Sequence, residues 1–220
     1  MRVYAAVPVK VLSSAKSRLM RVVDDEARVE LALAMLRDVL GALRGSRRLS
    51  SVLVVSSDPR VLEEAVEVGA RPVDEGRPRG VNEALKLALK ICLEEGADAM
   101  LVVPSDLPLL TGGCVSKLLD LLGPPPSMVI SPSRDRSGTN ALLLSPPNAI
   151  GFSFGQGSFK RHLSMARGRG MDVVSYEAPE LSLDVDDARD LRALMASASR
   201  GHTAELLASL KAEGRLSRLL

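Results

Sequence analysis

Short, nearly uninterrupted runs of apolar and β-branched residues alternate along this chain with longer stretches of helical periodicity, and few folds accept that alternation. The runs are Val3 to Val9, Val52 to Ser56, Ala99 to Val103, Met128 to Ser131 and Ala141 to Ser145. A strand with one wet face alternates apolar and polar residues; these do not, so both faces must be covered. Covered strands separated by helical segments predict an α/β fold, a three-layer αβα sandwich around a mostly parallel, Rossmann-like sheet.

Helix punctuation lies between the runs. Asp58 before Pro59 predicts an N-cap and first turn for a helix over Val61 to Val68, which Gly69 closes. Asp24 is the expected cap of a long amphipathic helix reaching about Leu43, and Gly96 the expected end of a helix from Asn82 to Glu95. Leu31, Met35, Val39 and Leu43 recur at helical spacing and read as core. Pro124, Pro125 and Pro126 read as a stiff connector between helix and strand.

A chain of 220 residues, 46% hydrophobic, buries one sizeable core more readily than two small ones, so residues 1–195 are assigned to one domain. Residues 196–220, with a break expected at Ser199 to Gly201, read as a helical tail that packs on that domain or on a second copy in a homodimer. Lys and Arg number 29 against 27 Asp and Glu, and aromatics are scarce, which argues against a nucleic-acid partner. Cys92 and Cys114 lack zinc or redox spacing and read as apolar fillers of a cytoplasmic protein. The chain opens on a strand and carries no uncharged run of membrane-spanning length, so neither export nor a membrane partner is expected.

Ligands of open α/β sheets gather at the C-terminal ends of the strands, and four segments there carry chemistry. Lys10 to Leu19 follows the first strand and gathers Lys10, Lys16 and Arg18 among small hydroxyl residues, a set suited to neutralising a triphosphate and its leaving pyrophosphate. It holds no glycine and is therefore neither a P-loop nor a dinucleotide fingerprint. In Pro104 to Leu110, Asp106 stands between two prolines after the third apolar run, placed to bind a hard cation at the sheet edge. The alternative, that Asp106 caps the next helix, conflicts with Pro108 and with a helix start expected beyond Gly112. Gly157 and Ser158 open a short helical run, a site for a phosphate or carboxylate to which Thr139 adds a hydroxyl. In Leu183 to Asp190, alternation places Asp184 and Asp186 on one side of an extended stretch, where one of them can join Asp106 around a metal, while Asp187 caps the following helix. Taken singly, each segment is also compatible with an ordinary solvated turn. His162 and His202 are isolated and read as structural.

Together these segments resemble the 2-phospho-L-lactate guanylyltransferase family of deazaflavin coenzyme F-420 biosynthesis, a branch of the molybdenum-cofactor nucleotidyltransferase-like fold. The motifs are Val7-Pro-Val-Lys10, Ala15 to Leu19, Gly80 to Leu85, Pro104 to Pro108, Gly138 to Leu142, Gly155 to Phe159 and Leu183 to Asp186; seven in order are far more specific than any one. The resemblance implies a nucleotide-diphospho-sugar transferase type of sheet and guanylyl transfer from GTP to a small phosphorylated carboxylic acid. It implies that Lys16, Arg18 and Asp106 are catalytic, and that Val7, Lys10, Lys16, Gly80, Asn82 and Ser105 form the nucleotide site. Thr139, Asn140, Gly155 and Ser158 would hold the acid, and Asp106 with Asp184 or Asp186 would hold magnesium. Asp187-Ala-Arg189 replaces the turn that relatives often carry there, which leaves the choice between Asp184 and Asp186 open. Other readings are a related transferase using CTP or another acceptor, a sugar-nucleotide glycosyltransferase with Asp184 and Asp186 as its Asp-x-Asp pair, and a catalytically silent nucleotide-binding scaffold.

Overall fold

The computed structural model describes residues 1–197 and 200–216. Among these residues, seven strands form one sheet in the order β3-β2-β1-β4-β6-β5-β7. The strands are β1 (Val3–Pro8), β2 (Ser51–Ser56), β3 (Arg71–Asp74), β4 (Ala99–Val102), β5 (Ser127–Pro132), β6 (Thr139–Ser145) and β7 (Asp172–Ser175). β6 runs antiparallel to both of its neighbours, whereas the other pairings are parallel. The five apolar runs are the five inner strands. The two strands without such a run, β3 and β7, are the sheet edges, where Arg71, Pro72, Asp74 and Asp172 stand exposed or half-exposed.

The helices are α1 (Asp25–Gly45), α2 (Pro59–Glu67), α3 (Val81–Glu94), α4 (Gly112–Asp120), α5 (Ser158–Gly168), α6 (Pro179–Ser182), α7 (Ala188–Ala196) and α8 (His202–Ala212). One face of the sheet, through Ala5, Val7, Val54 and Leu143, packs on α1, α2, α4 and α6. The other, through Tyr4, Leu53, Met100 and Leu142, packs on α3 and α5. These are the three expected layers. The expected caps also form: Asp24 accepts from Ala27 N–H, Asp58 from Arg60 N–H, and Asp187 closes a reciprocal capping box with Asp190.

α1 is buried on two sides. Val39 and Leu43 face the sheet, but Leu31 and Met35 belong to a separate cluster with Leu191, Leu194, Leu207 and Leu210 from α7 and α8. The apolar residues Leu207 and Leu210 of α8 are therefore used on α1 of the same chain. Asp38 on α1 accepts from His202 N–H at 2.8 Å and Thr203 N–H at 3.0 Å, so the start of α8 is capped by another helix. Gly201 permits that approach: its φ is +129°, and a Cβ there would lie 2.5 Å from an Asp38 oxygen. The expected break at this point falls partly on Ser199, which lies outside the described residues. No helix of the described residues is long and apolar enough to cross a membrane.

Candidate active site

The loop after β1 is fixed from beneath by charge. Asp58, buried at the start of α2, accepts from Leu12 N–H at 2.8 Å as well as capping its own helix. Arg28, 5% exposed on α1, donates to the carbonyls of Leu12, Ser13 and Ala15 and pairs with Asp25 at 3.0 Å. Three carbonyls converge on one nitrogen of this buried guanidinium and hold the loop in one shape, while its Nε has no partner among the described residues. At the loop's apex Lys16 adopts the left-handed conformation at φ +53°, which turns its side chain back over the sheet edge.

Lys16 Nζ lies 2.6 Å from Asp106 Oδ2 and 3.0 Å from Asp186 Oδ1. Segments 90 and 170 residues apart thus meet on one ammonium. Burial alone would lower the Lys16 pKa, but attraction to Asp106 and Asp186 outweighs it and raises the pKa, so the side chain stays charged. Asp106 is held by the burial of Leu107 and Leu110 on either side of Pro108, and the helix that follows is capped by Thr111 instead. Val185 N–H donates to Asp106 O at 3.1 Å and ties the last acidic segment to this loop. There Leu183 and Val185 point inward to the α1, α7 and α8 cluster while Asp184 and Asp186 point outward, as their alternation requires. The Asp184 carboxyl is raised above the usual carboxylate range, first by burial and then by Asp106 and Asp186, against the lowering effect of Asn140.

Asn140 Nδ2 donates to Leu181 O at 2.8 Å and to Asp184 Oδ1 at 3.1 Å. Its neighbour Thr139 faces the other way, with Oγ1 3.1 Å from Ser158 Oγ and 3.1 Å from His162 Nδ1. Simple alternation from Ala141 and Leu143, which pack on the α6 side, would send Thr139 toward α6. The register steps from Ser131↔Ala141 to Pro132↔Thr139, leaving Asn140 as an extra residue, and this bulge resets the alternation. Gly155 at φ +114° and Gly157 at φ +75° shape the turn that brings Ser158 to the start of α5.

Not every residue singled out in the sequence meets the cluster. Lys10 and Arg18 are exposed and form no ion pair among the described residues. Ser105 is half-exposed beside Asp106. The Val7 side chain is fully buried between β1 and the helices, so it acts only by setting the strand from which the loop departs. Gly80 caps α3 at φ +90°. Asn82 exchanges both ends of its amide with Phe154, accepting from its N–H at 2.8 Å and donating to its O at 3.3 Å, and so braces α3 against the turn before α5. Asp106 and the Ser158 hydroxyl are joined indirectly, through adjacent residues Thr139 and Asn140. Among the described residues no three His, Cys, Asp or Glu side chains converge as a ready metal cage, since Lys16 stands between two of the acids.

Arg28, Asp58 in its loop-holding role and His162 were not foreseen from sequence. A signal existed for two of them: Arg28 is in phase with the apolar stripe Leu31 and Met35, and His162 with Phe159 and Ala166. A polar residue in phase with a buried face must have a partner there.

Fold and site together define a nucleotidyltransferase. A solved structure assigned as a candidate nucleotide-diphospho-sugar transferase from Desulfovibrio desulfuricans G20 superposes with a TM-score of 0.77 over 96% of each chain at 21% identity, a likeness of fold. The model of the guanylyl transferase CofC-like family matches residues 2–218, and the chain belongs to that family. It is 52% identical over 198 residues to a phosphoenolpyruvate guanylyltransferase of Rubrobacter xylanophilus, covering 90% of this chain and 95% of the relative. It is 38% identical over 211 residues to a 2-phospho-L-lactate guanylyltransferase of Methanothermobacter thermautotrophicus, covering 96% and 92%.

Proposed function

We propose that this enzyme transfers GMP from GTP to a phosphorylated three-carbon acid and releases pyrophosphate, in the assembly of a deazaflavin coenzyme of the F-420 type. Phosphoenolpyruvate is favoured as the acceptor over 2-phospho-L-lactate and 3-phospho-D-glycerate, because the relative named for phosphoenolpyruvate shares 52% of its residues and the one named for phospholactate 38%. The observation that carries the reading is the ammonium of Lys16 held between Asp106 and Asp186.

The acceptor supplies its own nucleophile. A phosphate monoester has a second pKa of about 6 and is largely dianionic at neutral pH, so no protein base is required. One of its oxygens bonds to the α-phosphorus of GTP as the bond from that phosphorus to the β-bridging oxygen breaks, and the electron pair leaves with pyrophosphate. Lys16 neutralises charge on the triphosphate, and Lys10 and Arg18, free on the same loop, reach the outer phosphates. Thr139 and Ser158 orient the acid, with Asn140 fixing Asp184 next to them. Gly80 and Asn82 border the nucleotide, Asn82 through its brace to Phe154.

The donor set fits a hard divalent cation: two carboxylates, Asp106 and Asp186, share one ammonium, and both crowd the third, Asp184. Asp106 with Asp184 or Asp186 would hold magnesium, which supplies Lewis-acid neutralisation of the phosphates when bound. Residues 196–220 are read as part of the same domain because α8 rests on α1. The enzyme is proposed to be cytoplasmic. Since the apolar side of α8 is spent within the chain, the proposed homodimer must use another surface, and light scattering that gives a monomer mass removes it.

The test is a panel of the three acids with GTP and with CTP, read by pyrophosphate release and by the mass of the product. A guanylyl adduct of phosphoenolpyruvate is expected; release with CTP and not GTP, or release indifferent to added acid, overturns the reading.

A further inference from the structure

His162 is fully buried, yet it is wired to the two hydroxyls read above as orienting the acceptor. It lies on α5, edge-on to Phe154 at 5.0 Å between centroids. Its two ring nitrogens have different partners. Ser153 N–H points at Nε2 from 3.0 Å, and a backbone N–H can only donate, so Nε2 must be the unprotonated acceptor. In the neutral ring the proton then sits on Nδ1, which faces Thr139 Oγ1 at 3.1 Å and must donate to it. Thr139 Oγ1 therefore receives a proton from the histidine and keeps its own for Ser158 Oγ, 3.1 Å away, or for a ligand; if Ser158 donates to Thr139 instead, the threonine proton is left for the ligand. In each arrangement the row ends in a hydroxyl proton directed outward and not in a lone pair.

We propose that His162 is a positioning residue which polarises the Thr139–Ser158 pair, so that the pair offers a donor to the carboxylate or phosphate of the acceptor. This rests on the acceptor site read above. Burial, and to a lesser degree the Arg161 charge, holds His162 down at about 4, so the ring stays neutral and the direction of the row is constant at working pH. The frame is also fixed: Arg161 donates to Ser153 Oγ at 2.7 Å and Ser153 O at 2.8 Å and holds the N–H that sets the tautomer.

Two variants separate the ring's contacts. His162→Asn places an amide N–H where Nδ1 was and keeps the donor to Thr139; His162→Gln can still receive Ser153 N–H but loses that donor. With the acceptor identified by the panel, His162→Gln is expected to raise the acceptor KM about tenfold, the scale of one lost buried hydrogen bond, while the KM for GTP and the melting temperature stay close to wild type. His162→Asn should recover most of the acceptor KM. In a Thr139→Val background, which removes the receiving oxygen, His162→Gln should add nothing further, whereas a packing role would add its full cost. A Thr139→Val enzyme with a raised acceptor KM beside a His162→Gln enzyme with a normal one overturns the proposal and leaves the acceptor site standing. A normal acceptor KM in Thr139→Val itself removes the acceptor site instead. Should His162→Gln fail to fold, nitrogen-15 spectra of histidine-labelled wild-type protein decide directly: the proposal requires His162 as the Nδ1–H tautomer, and an Nε2–H tautomer ends it.

Discussion

The two halves of the proposed site are built by opposite means for the same task, holding an anion. On the β1 side the groups are formally charged: Lys16, Asp106 and Asp186 are in contact, and Lys10 and Arg18 stand in solvent. On the β6 and α5 side they are neutral and buried, with Thr139, Ser158 and His162 at 6%, 1% and 0% exposure. Charge at a half-open edge can follow phosphates whose charge moves during the reaction. Buried dipoles cannot follow, but they discriminate, because a buried donor left unpaired is costly. On the proposed function, the contrast assigns rate to the first half and acceptor choice to the second.

That division can be broken by experiment. The largest effect belongs to Asp106→Ala, which should lower pyrophosphate release by about a thousandfold while circular dichroism and melting stay near wild type, because Lys16 keeps Asp186 as partner; near-normal turnover would separate the cluster from catalysis. Next, Arg28→Met should raise the KM for GTP about tenfold and cost about 2–4 kcal/mol in urea unfolding, since three loop carbonyls lose a buried donor, with the acceptor KM unmoved. Ser158→Ala should do the converse, raising the acceptor KM roughly fivefold and sparing GTP. If both KM values rise together in either variant, the halves are not independent.

The smallest effect is one of pH. His162 takes up its proton near 4 in the folded chain and near 6.5 when unfolded, so the unfolded chain binds more protons between those values. Stability contributed by the neutral ring is present above pH 6.5 and is lost as pH falls toward 4, by about 3 kcal/mol in all. Wild type should therefore lose urea stability relative to His162→Asn as the pH is lowered from 6.5 toward 4; parallel curves would contradict the buried neutral ring.

Much of the scaffold could be read directly from residue patterns. β1, β2, β4, β5 and β6 are apolar on both faces, and Asp24, Asp58 and Asp187 each cap the helix they precede. β3 and β7 escaped because an edge strand needs only one covered neighbour, and Arg71, Asp74 and Asp172 are tolerated where water is present. The stripe Leu31, Met35, Val39 and Leu43 was legible as buried but not as divided, since periodicity does not say that two different partners share one helix. Within the site, the meeting of Lys16 with Asp106 was expected, because both follow strands that end at the same edge. The supports were not: helical phase marks Arg28 and His162 as buried, but their partners are distant in sequence or are backbone groups, which no local pattern names.

The extra residue in β6 has a consequence for how such a site can change. Asn140 and Thr139, as neighbours, point to opposite faces, and the strand being out of step with its neighbour decides which of them faces which half. A strand of the same length paired in regular register, with Asn140 opposite Pro132, would turn the amide toward α5 and the hydroxyl toward the acids, exchanging the two without altering either side chain. Register at this one position is thus as much a part of the proposed site as the side chains that line it.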